Sequence, residues 1–128
     1  MLDAVGDSVM LLSYEEDTAF ASLSLGRFPA VGSSRLDWHA AEVIERCEAF
    51  DSGQLNRMVR AYAKSGELVV VFWSNLAVPS VAMEAGLMAE YAGEVLEVSP
   101  ACWIYLTDSR VLIEFQDGEG MTAGRAPN

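Results

Sequence analysis

The sequence has few of the residues on which catalytic and metal sites depend. Among its 128 residues there is one histidine, His39. Glu42 and Glu45 follow it closely, but a metal site takes three or four ligands and no second histidine exists. The sequence also lacks a phosphate-binding glycine loop and a G-x-S-x-G motif. We therefore expect a protein that is not an enzyme and that needs no metal and no cofactor.

Cysteine is also scarce. The two cysteines, Cys47 and Cys102, are too few for a disulfide framework. Both fall on predicted apolar stripes, where a free cysteine behaves as a small hydrophobic residue. We expect both thiols to be reduced and unreactive.

Basic residues and long apolar runs are missing as well. Lys and Arg number eight against 19 Asp and Glu, which gives a net charge of −11. Phosphate contacts need an electropositive surface, so this balance argues against a nucleic-acid partner. The longest apolar run, Leu68–Trp73, is far shorter than the roughly 20 residues of a membrane span. Asp3 and Asp7 occupy the place of a basic signal-peptide start, so we expect a cytoplasmic protein without a membrane partner.

The order of the predicted elements indicates an α+β fold. We expect one domain over residues 1–115, with a mostly antiparallel sheet of about four to six strands and three helices packed mainly on one face. Gln116–Asn128 is rich in glycine and has no apolar periodicity, which predicts a flexible tail.

Apolar spacing places most of the elements. The predicted helices are Arg35–Phe50, Ser52–Lys64 and Ser80–Ala92. The predicted strands are Val9–Ser13, Leu68–Trp73, Val95–Val98 and the two arms of a C-terminal hairpin over residues 102–115.

Residues 14–25 fit two conformations. Ser13 and Glu16 have the spacing of a capping box, which favours a helix. Apolar and small polar residues alternate over 18–25, which favours a strand. We predict a strand over 18–25 and keep the helix as the alternative.

The hairpin allows its register to be derived. If Asp108 and Ser109 form a two-residue turn, Cys102 pairs with Phe115 and Leu106 with Val111. One face of the hairpin is then entirely apolar: Cys102, Ile104, Leu106, Val111, Ile113 and Phe115. The other face is mixed: Trp103, Tyr105, Thr107, Arg110, Leu112 and Glu114. A shift of one residue would mingle the two sets, which supports this register.

Acidic side chains and two aromatic rings make the best candidate site. If the acidic groups converge, they would attract a cationic protein, and Trp103 and Tyr105 would be suitable anchors. The alternative is that another layer of the fold covers the two rings. The predicted partner-binding residues are Glu15, Glu16, Asp17, Glu90, Glu94, Glu97, Trp103, Tyr105, Asp108 and Glu114.

These features resemble the small acidic immunity proteins that bacteria make against nuclease-type toxins, as in contact-dependent growth inhibition. The shared features are a single α+β domain, a pI near 4.3, the absence of enzyme motifs and aromatic residues among acids. The resemblance implies that the protein binds a basic cognate toxin domain and blocks its substrate site.

Two other functions fit the same residues. One is an adaptor or structural subunit of a complex, and the other is a small enzyme or ligand-binding domain. A deep apolar pocket with convergent polar groups would favour the last of these.

Overall fold

Two layers of helices enclose one antiparallel sheet in the computed structural model. It describes residues 10–23, 30–31, 35–36, 42–48, 51–73, 80–98, 101–116 and 120–125. The described helices are α1 (Tyr14–Leu23), α2 (Ser52–Tyr62), α3 (Ala85–Glu90) and α4 (Ala92–Glu97). The described strands are β1 (Met10–Leu11), β2 (Ala30–Val31), β3 (Arg35–Leu36), β4 (Glu42–Cys47), β5 (Leu68–Trp73), β6 (Val81–Glu84), β7 (Ala101–Leu106), β8 (Val111–Gln116) and β9 (Gly120–Arg125).

Seven of these strands form the main sheet, in the order β1-β6-β5-β7-β8-β9-β4. The short strands β2 and β3 pair with each other. Every pairing among the described strands is antiparallel. The predicted α+β class and antiparallel sheet are confirmed, although the sheet has more strands than expected and there is a fourth helix.

The sheet buries side chains on both faces, because alternate residues of a strand point to opposite sides. We call the face covered by α2, α3 and α4 the first face; it carries Val71, Ile104 and Ile113. The second face carries Val70 and Leu112, and Phe20 and Ala21 of α1 pack against it. Three helices therefore lie on one face and α1 lies on the other; α2 and α3 fall within predicted helices, whereas residues 95–97 of α4 were predicted as a strand.

The register derived for the C-terminal hairpin is confirmed. Cys102 pairs with Phe115 and Leu106 with Val111. The turn, however, has four residues rather than two: the N–H of Arg110 donates to the carbonyl of Leu106 at 2.8 Å. Arg110 has φ 58°, so it takes the left-handed conformation that reverses the chain.

Two other elements also agree with the sequence. Leu68–Trp73 is a central strand buried on both faces, as its unbroken apolar run predicts. The helix predicted from Ser52 is α2, and the Asp51 carboxylate caps it by accepting from the N–H of Gln54 at 2.8 Å.

The helix predicted over Arg35–Phe50 is wrong where the structure describes it. Residues 42–47 form the edge strand β4, and Arg35–Leu36 is β3; His39 lies outside the described residues. Glu45 pairs with Ala123 and Cys47 with Met121, with a register shift between Val43 and Glu45. Long-range pairing with β9 therefore overrides the helical spacing of the apolar residues.

Three further segments differ from prediction in conformation. Residues 18–23 belong to helix α1, whose capping box is formed: Ser13 N–H donates to Glu16 at 3.0 Å and Glu16 N–H to Ser13 Oγ at 3.1 Å. Val81–Glu84 forms a buried strand before α3, because it completes the sheet between β1 and β5. Residues 95–97 are helical in α4 because they pack over the first face.

The predicted flexible tail is also wrong for residues 120–125. They form β9, which lies between β8 and β4. Met121 and Ala123 point into the first-face core. The apolar signal is weak because the alternate positions are Gly120, Thr122 and Gly124.

A buried carboxylate, Glu67, ties the hairpin turn to the start of β5. It accepts hydrogen bonds from the N–H groups of Lys64, Asp108 and Ser109 at 2.7, 2.7 and 2.6 Å. The Ser109 hydroxyl donates a fourth at 2.7 Å. Burial alone would raise the pKa of Glu67, but these donors outweigh burial and hold its pKa below the ordinary value.

We predict that Glu67→Gln lowers the free energy of unfolding by about 2 kcal/mol at neutral pH, because hydrogen bonds to a charged acceptor are the strong ones. A lowered pKa in the folded state gives stability that is present above the unfolded pKa, near 4.5, and lost as the pH falls through the folded value. Urea denaturation at several pH values across that range should show that the free energy of unfolding falls less steeply with acid in the variant than in the parent. Asp108→Asn, in the same turn but exposed, is the control; equal effects would contradict the assignment.

Cys102 of β7 is fully buried. Burial raises the pKa of its thiol, so little nucleophilic thiolate exists near neutral pH. We expect a thiol reagent to label Cys102 only as fast as the protein unfolds. Rapid labelling of native Cys102 would contradict the hairpin register; half-buried Cys47 provides the internal comparison.

Candidate functional site

The exposed acidic residues Glu90, Glu94 and Glu97 lie together on α3 and α4. Glu84 begins this segment by capping α3, accepting from the N–H of Leu87 at 3.1 Å. The chain bends at Tyr91, where φ is −101° and ψ is 22°, so two short helices replace the predicted helix and strand. We call these three glutamates and half-buried Tyr91 the acidic surface.

Two hydrogen bonds from the core hold this surface in place. Asn56 of α2 donates from Nδ2 to the carbonyl of Ala89 at 2.8 Å. Trp73 of β5 donates from Nε1 to the carbonyl of Val95 at 2.9 Å. Both carbonyls lie near helix ends, where each also accepts from the N–H of the cap residue, Tyr91 or Val98. The acidic surface is therefore anchored to rigid elements.

The acidic surface combines exposed charge with partly exposed apolar groups. Within the described residues, no ion pair or hydrogen bond engages the carboxylates of Glu90 and Glu97. Leu87, Tyr91 and Leu96 of the same two helices are half-buried. An aromatic ring with charges around it is typical of a binding surface, since tyrosine is enriched at binding hot spots. Tyr91 was not among the predicted site residues, although it falls within the predicted helix Ser80–Ala92.

The other acidic groups do not join this surface. Glu15 and Glu16 are exposed on α1, which covers the second face, whereas α3 and α4 cover the first. Hydrogen bonds from Ser13 lower the pKa of Glu16, which is occupied as a cap. The side chain of Asp17 lies outside the described residues. Asp108 is exposed in the hairpin turn.

Trp103 and Tyr105 are not open anchors. They are 9% and 4% exposed and belong to the second-face core, packed with Phe20 of α1. The alternative that another layer covers these rings is the one that the structure supports. Glu114, at 7% exposure, accepts from Trp103 Nε1 at 2.9 Å.

The part of the sheet formed by β8, β9 and β4 borders a cavity of about 400 Å³. It is lined by Arg46, Cys47, Glu48, Glu114, Gln116, Gly120, Met121 and Thr122. Of these, only Glu114 was predicted as a site residue. The cavity depends on the pairing of β8, β9 and β4, and β9 and β4 were not predicted as strands.

Other kinds of site find no support in the described part of the chain. There, no group of three or more His, Cys, Asp and Glu side chains is placed to hold a metal ion. No described helix is long and apolar enough to cross a membrane.

Comparison with protein families decides between the functions left open by the sequence. Residues 1–124 match the family described as CdiI immunity protein, EcoliA0-like. The chain belongs to this family. No curated protein matches the chain in sequence. Membership confirms the resemblance to bacterial immunity proteins, and it implies that this immunity protein binds and neutralises a cognate toxin.

We predict that Trp103→Ala destabilises this immunity protein by about 3–5 kcal/mol, because it empties a large space in the second-face core. Trp103→Phe should cost less, because it keeps most of the packing and loses the hydrogen bond to Glu114. Urea denaturation of both variants measures this. An unchanged stability of Trp103→Ala, with faster dissociation from the toxin, would instead identify the ring as an exposed anchor.

Proposed function

We propose that this protein neutralises a basic, nuclease-type toxin by binding it through the acidic surface and covering its substrate site. The single observation that carries this proposal is the succession of exposed glutamates Glu90, Glu94 and Glu97 along α3 and α4, with half-buried Tyr91 next to Glu90 in the chain. Three exposed carboxylates on a rigidly held segment give a concentrated negative potential, and Tyr91 gives a ring that a partner can bury.

The nuclease class follows from charge complementarity. An enzyme that acts on nucleic acid needs a positively charged surface to contact phosphates. A protein with net charge −11 is attracted to such a surface over long range, and like charges disfavour acidic partners. Inhibition then needs binding alone, without catalysis. Nucleic-acid substrates lie inside the cell, so we propose that the protein acts in the cytoplasm of the cell it protects.

The acidic surface is suited to fast capture. Surface ion pairs contribute little to stability, so leaving Glu90 and Glu97 unpaired costs the free protein little. Charges around a binding surface raise the association rate much more than they prolong the complex. Rapid capture matters for a protein that must reach a toxin before the toxin reaches its substrate.

We predict that replacing Glu90, Glu94 and Glu97 together with Gln slows association with the cognate toxin about tenfold at low salt. The dissociation rate should change much less, and the free energy of unfolding should stay the same or rise slightly, because three like charges are removed. Stopped-flow or surface-based kinetics at several salt concentrations measure this. The difference from the parent should shrink as salt increases, since charges beyond roughly 8 Å are screened at physiological ionic strength.

The matched control changes the same number of charges elsewhere. Glu15→Gln, Glu42→Gln and Asp108→Asn together remove three exposed carboxylates that lie outside the acidic surface. This control should slow association only about twofold to threefold, through net charge alone. Equal slowing in the two triple variants would contradict the acidic surface as the binding site. A salt-independent association rate of the parent would contradict a basic partner.

A further inference from the structure

A cleft of about 340 Å³ opens between the end of α2 and the start of α3, beside the acidic surface. We call this cleft the basic notch. The side chains that give it its polar character are those of Arg60, Lys64, Ser65 and Glu84. Arg60 and Lys64 are both exposed, and they are two of the eight basic residues of a chain with net charge −11. A small part of this acidic protein therefore concentrates positive charge in one cleft.

The carboxylate of Glu84 does not cancel both cations. It caps α3 and accepts from the N–H of Leu87 at 3.1 Å. Hydrogen bonds from the N–H groups of Gly86 and Leu87 hold the pKa of Glu84 below its ordinary value, so it is charged at neutral pH. A Cβ on Gly86 would lie 3.0 Å from this carboxylate, which shows how closely it sits against the first turn of α3. Two cations and one carboxylate leave the notch with one excess positive charge.

Arg60 is held in a fixed orientation at the notch. Its Nε donates to Asn56 Oδ1 at 3.1 Å, and Asn56 Nδ2 donates in turn to the carbonyl of Ala89 at 2.8 Å. These bonds use one of the five guanidinium donors of Arg60 and leave the two terminal nitrogens for another acceptor. Among the described residues, no salt bridge engages Arg60 or Lys64. The notch therefore presents oriented donors without a resident acceptor for all of them.

The notch and the acidic surface share one face of α3. Gly86 of the notch and Glu90 of the acidic surface are four residues apart, which places them one helical turn, or about 6 Å, from each other on the same side. A partner that covers Glu90 also covers the notch. Cations that lose their water in this way are destabilised unless the partner supplies an acceptor, and a carboxylate is the group that complements them.

We propose that the basic notch receives an acidic side chain, Asp or Glu, of the bound toxin between Arg60 and Lys64. This proposal rests on the proposed function, because it takes the toxin seated on the acidic surface as the partner. Negative charge alone attracts any basic protein. A carboxylate required at one fixed place orients the toxin and rejects basic proteins that bring a neutral or positive group there.

The test is a variant in which the proposed function and the notch predict different results. Arg60→Gln with Lys64→Gln makes the protein more negative, so attraction of a basic toxin predicts association that is as fast as in the parent or faster. Loss of the notch contact predicts that the toxin nevertheless dissociates about fivefold to tenfold faster. Stopped-flow or surface-based kinetics with the cognate toxin measure both rates.

The matched control removes two cations elsewhere. Arg46→Gln with Arg125→Gln changes exposed residues of β4 and β9 that lie outside the notch, so dissociation should stay within about twofold of the parent. Because cations also suit the C-terminal end of α2, urea denaturation is measured on each variant. A purely structural role would lower the free energy of unfolding of the notch variant and leave its dissociation rate unchanged.

A second readout follows from the lysine content of the sequence. Lys64 is the sole lysine of the chain. A carbodiimide joins an amine to a carboxylate in contact with it, forming an amide with loss of water. In the complex we expect mass spectrometry to find Lys64 joined to an Asp or Glu of the toxin. Neutralising that toxin residue should speed dissociation from the parent and have no further effect on the notch variant.

The outcomes separate this inference from the proposed function. If replacement of Glu90, Glu94 and Glu97 slows association but the notch variant dissociates like the parent, the notch proposal fails and the function stands. A complex in which Lys64 joins no toxin carboxylate also overturns the notch. If the three-glutamine variant binds like the parent, while the notch variant dissociates faster and Lys64 still joins the toxin, the acidic surface fails and the notch contact stands. Absence of toxin binding by the parent would overturn both.

Discussion

The fold depends on one constraint: the central strands β5 and β7 are apolar on both faces, so the sheet needs cover on both sides. Val69 and Val71 face α2, α3 and α4, whereas Val70 faces the layer that includes α1. Burial of apolar surface is the main favourable term in folding, so both layers are needed for stability. Most charged side chains therefore lie on the outer surfaces of the helices and at the ends and edges of the sheet, and the acidic surface is on the outer side of α3 and α4.

The helices on the two faces of the sheet are held by different interactions, and those on the first face determine where the acidic surface lies. On the first face, Asn56 and Trp73 donate to carbonyls of the α3–α4 segment, so the segment is held by directional bonds as well as by packing. Glu45 adds a further tie on the same side, because it accepts from Tyr62 and pairs with Arg57, which joins β4 to α2. A recognition surface built on such elements loses little conformational entropy when it binds.

The parts of the fold that could be predicted are those whose signal is local or covers a whole strand. The run Leu68–Trp73 predicted a central strand and the alternation over 102–115 predicted the hairpin register, and both were confirmed, although the hairpin turn is longer than predicted. The strands β4 and β9 were missed because each is stabilised mainly by pairing with the other. In β4, the spacing of Val43 and Cys47 also fits a helix. In β9, Gly120 and Gly124 weaken the alternating apolar pattern that Met121 and Ala123 would otherwise give. The prediction of site residues was limited for the same reason. The glutamates at 90, 94 and 97 were found from charge alone, whereas the cavity arises only from the pairing of these two strands.

The distribution of charge links stability to binding. Carboxylates that the fold uses are engaged by donors: Glu67 by the hairpin turn, Glu84 by α3 and Glu45 by α2. Glu90 and Glu97 are engaged by no described group, so they repel their neighbours in the free protein and are relieved only by a cationic partner. Because salt screens exposed charges, the attraction of the acidic surface for a cationic partner should weaken as ionic strength rises. On the proposed function, contacts at the acidic surface govern how fast a basic partner arrives more than how long it remains.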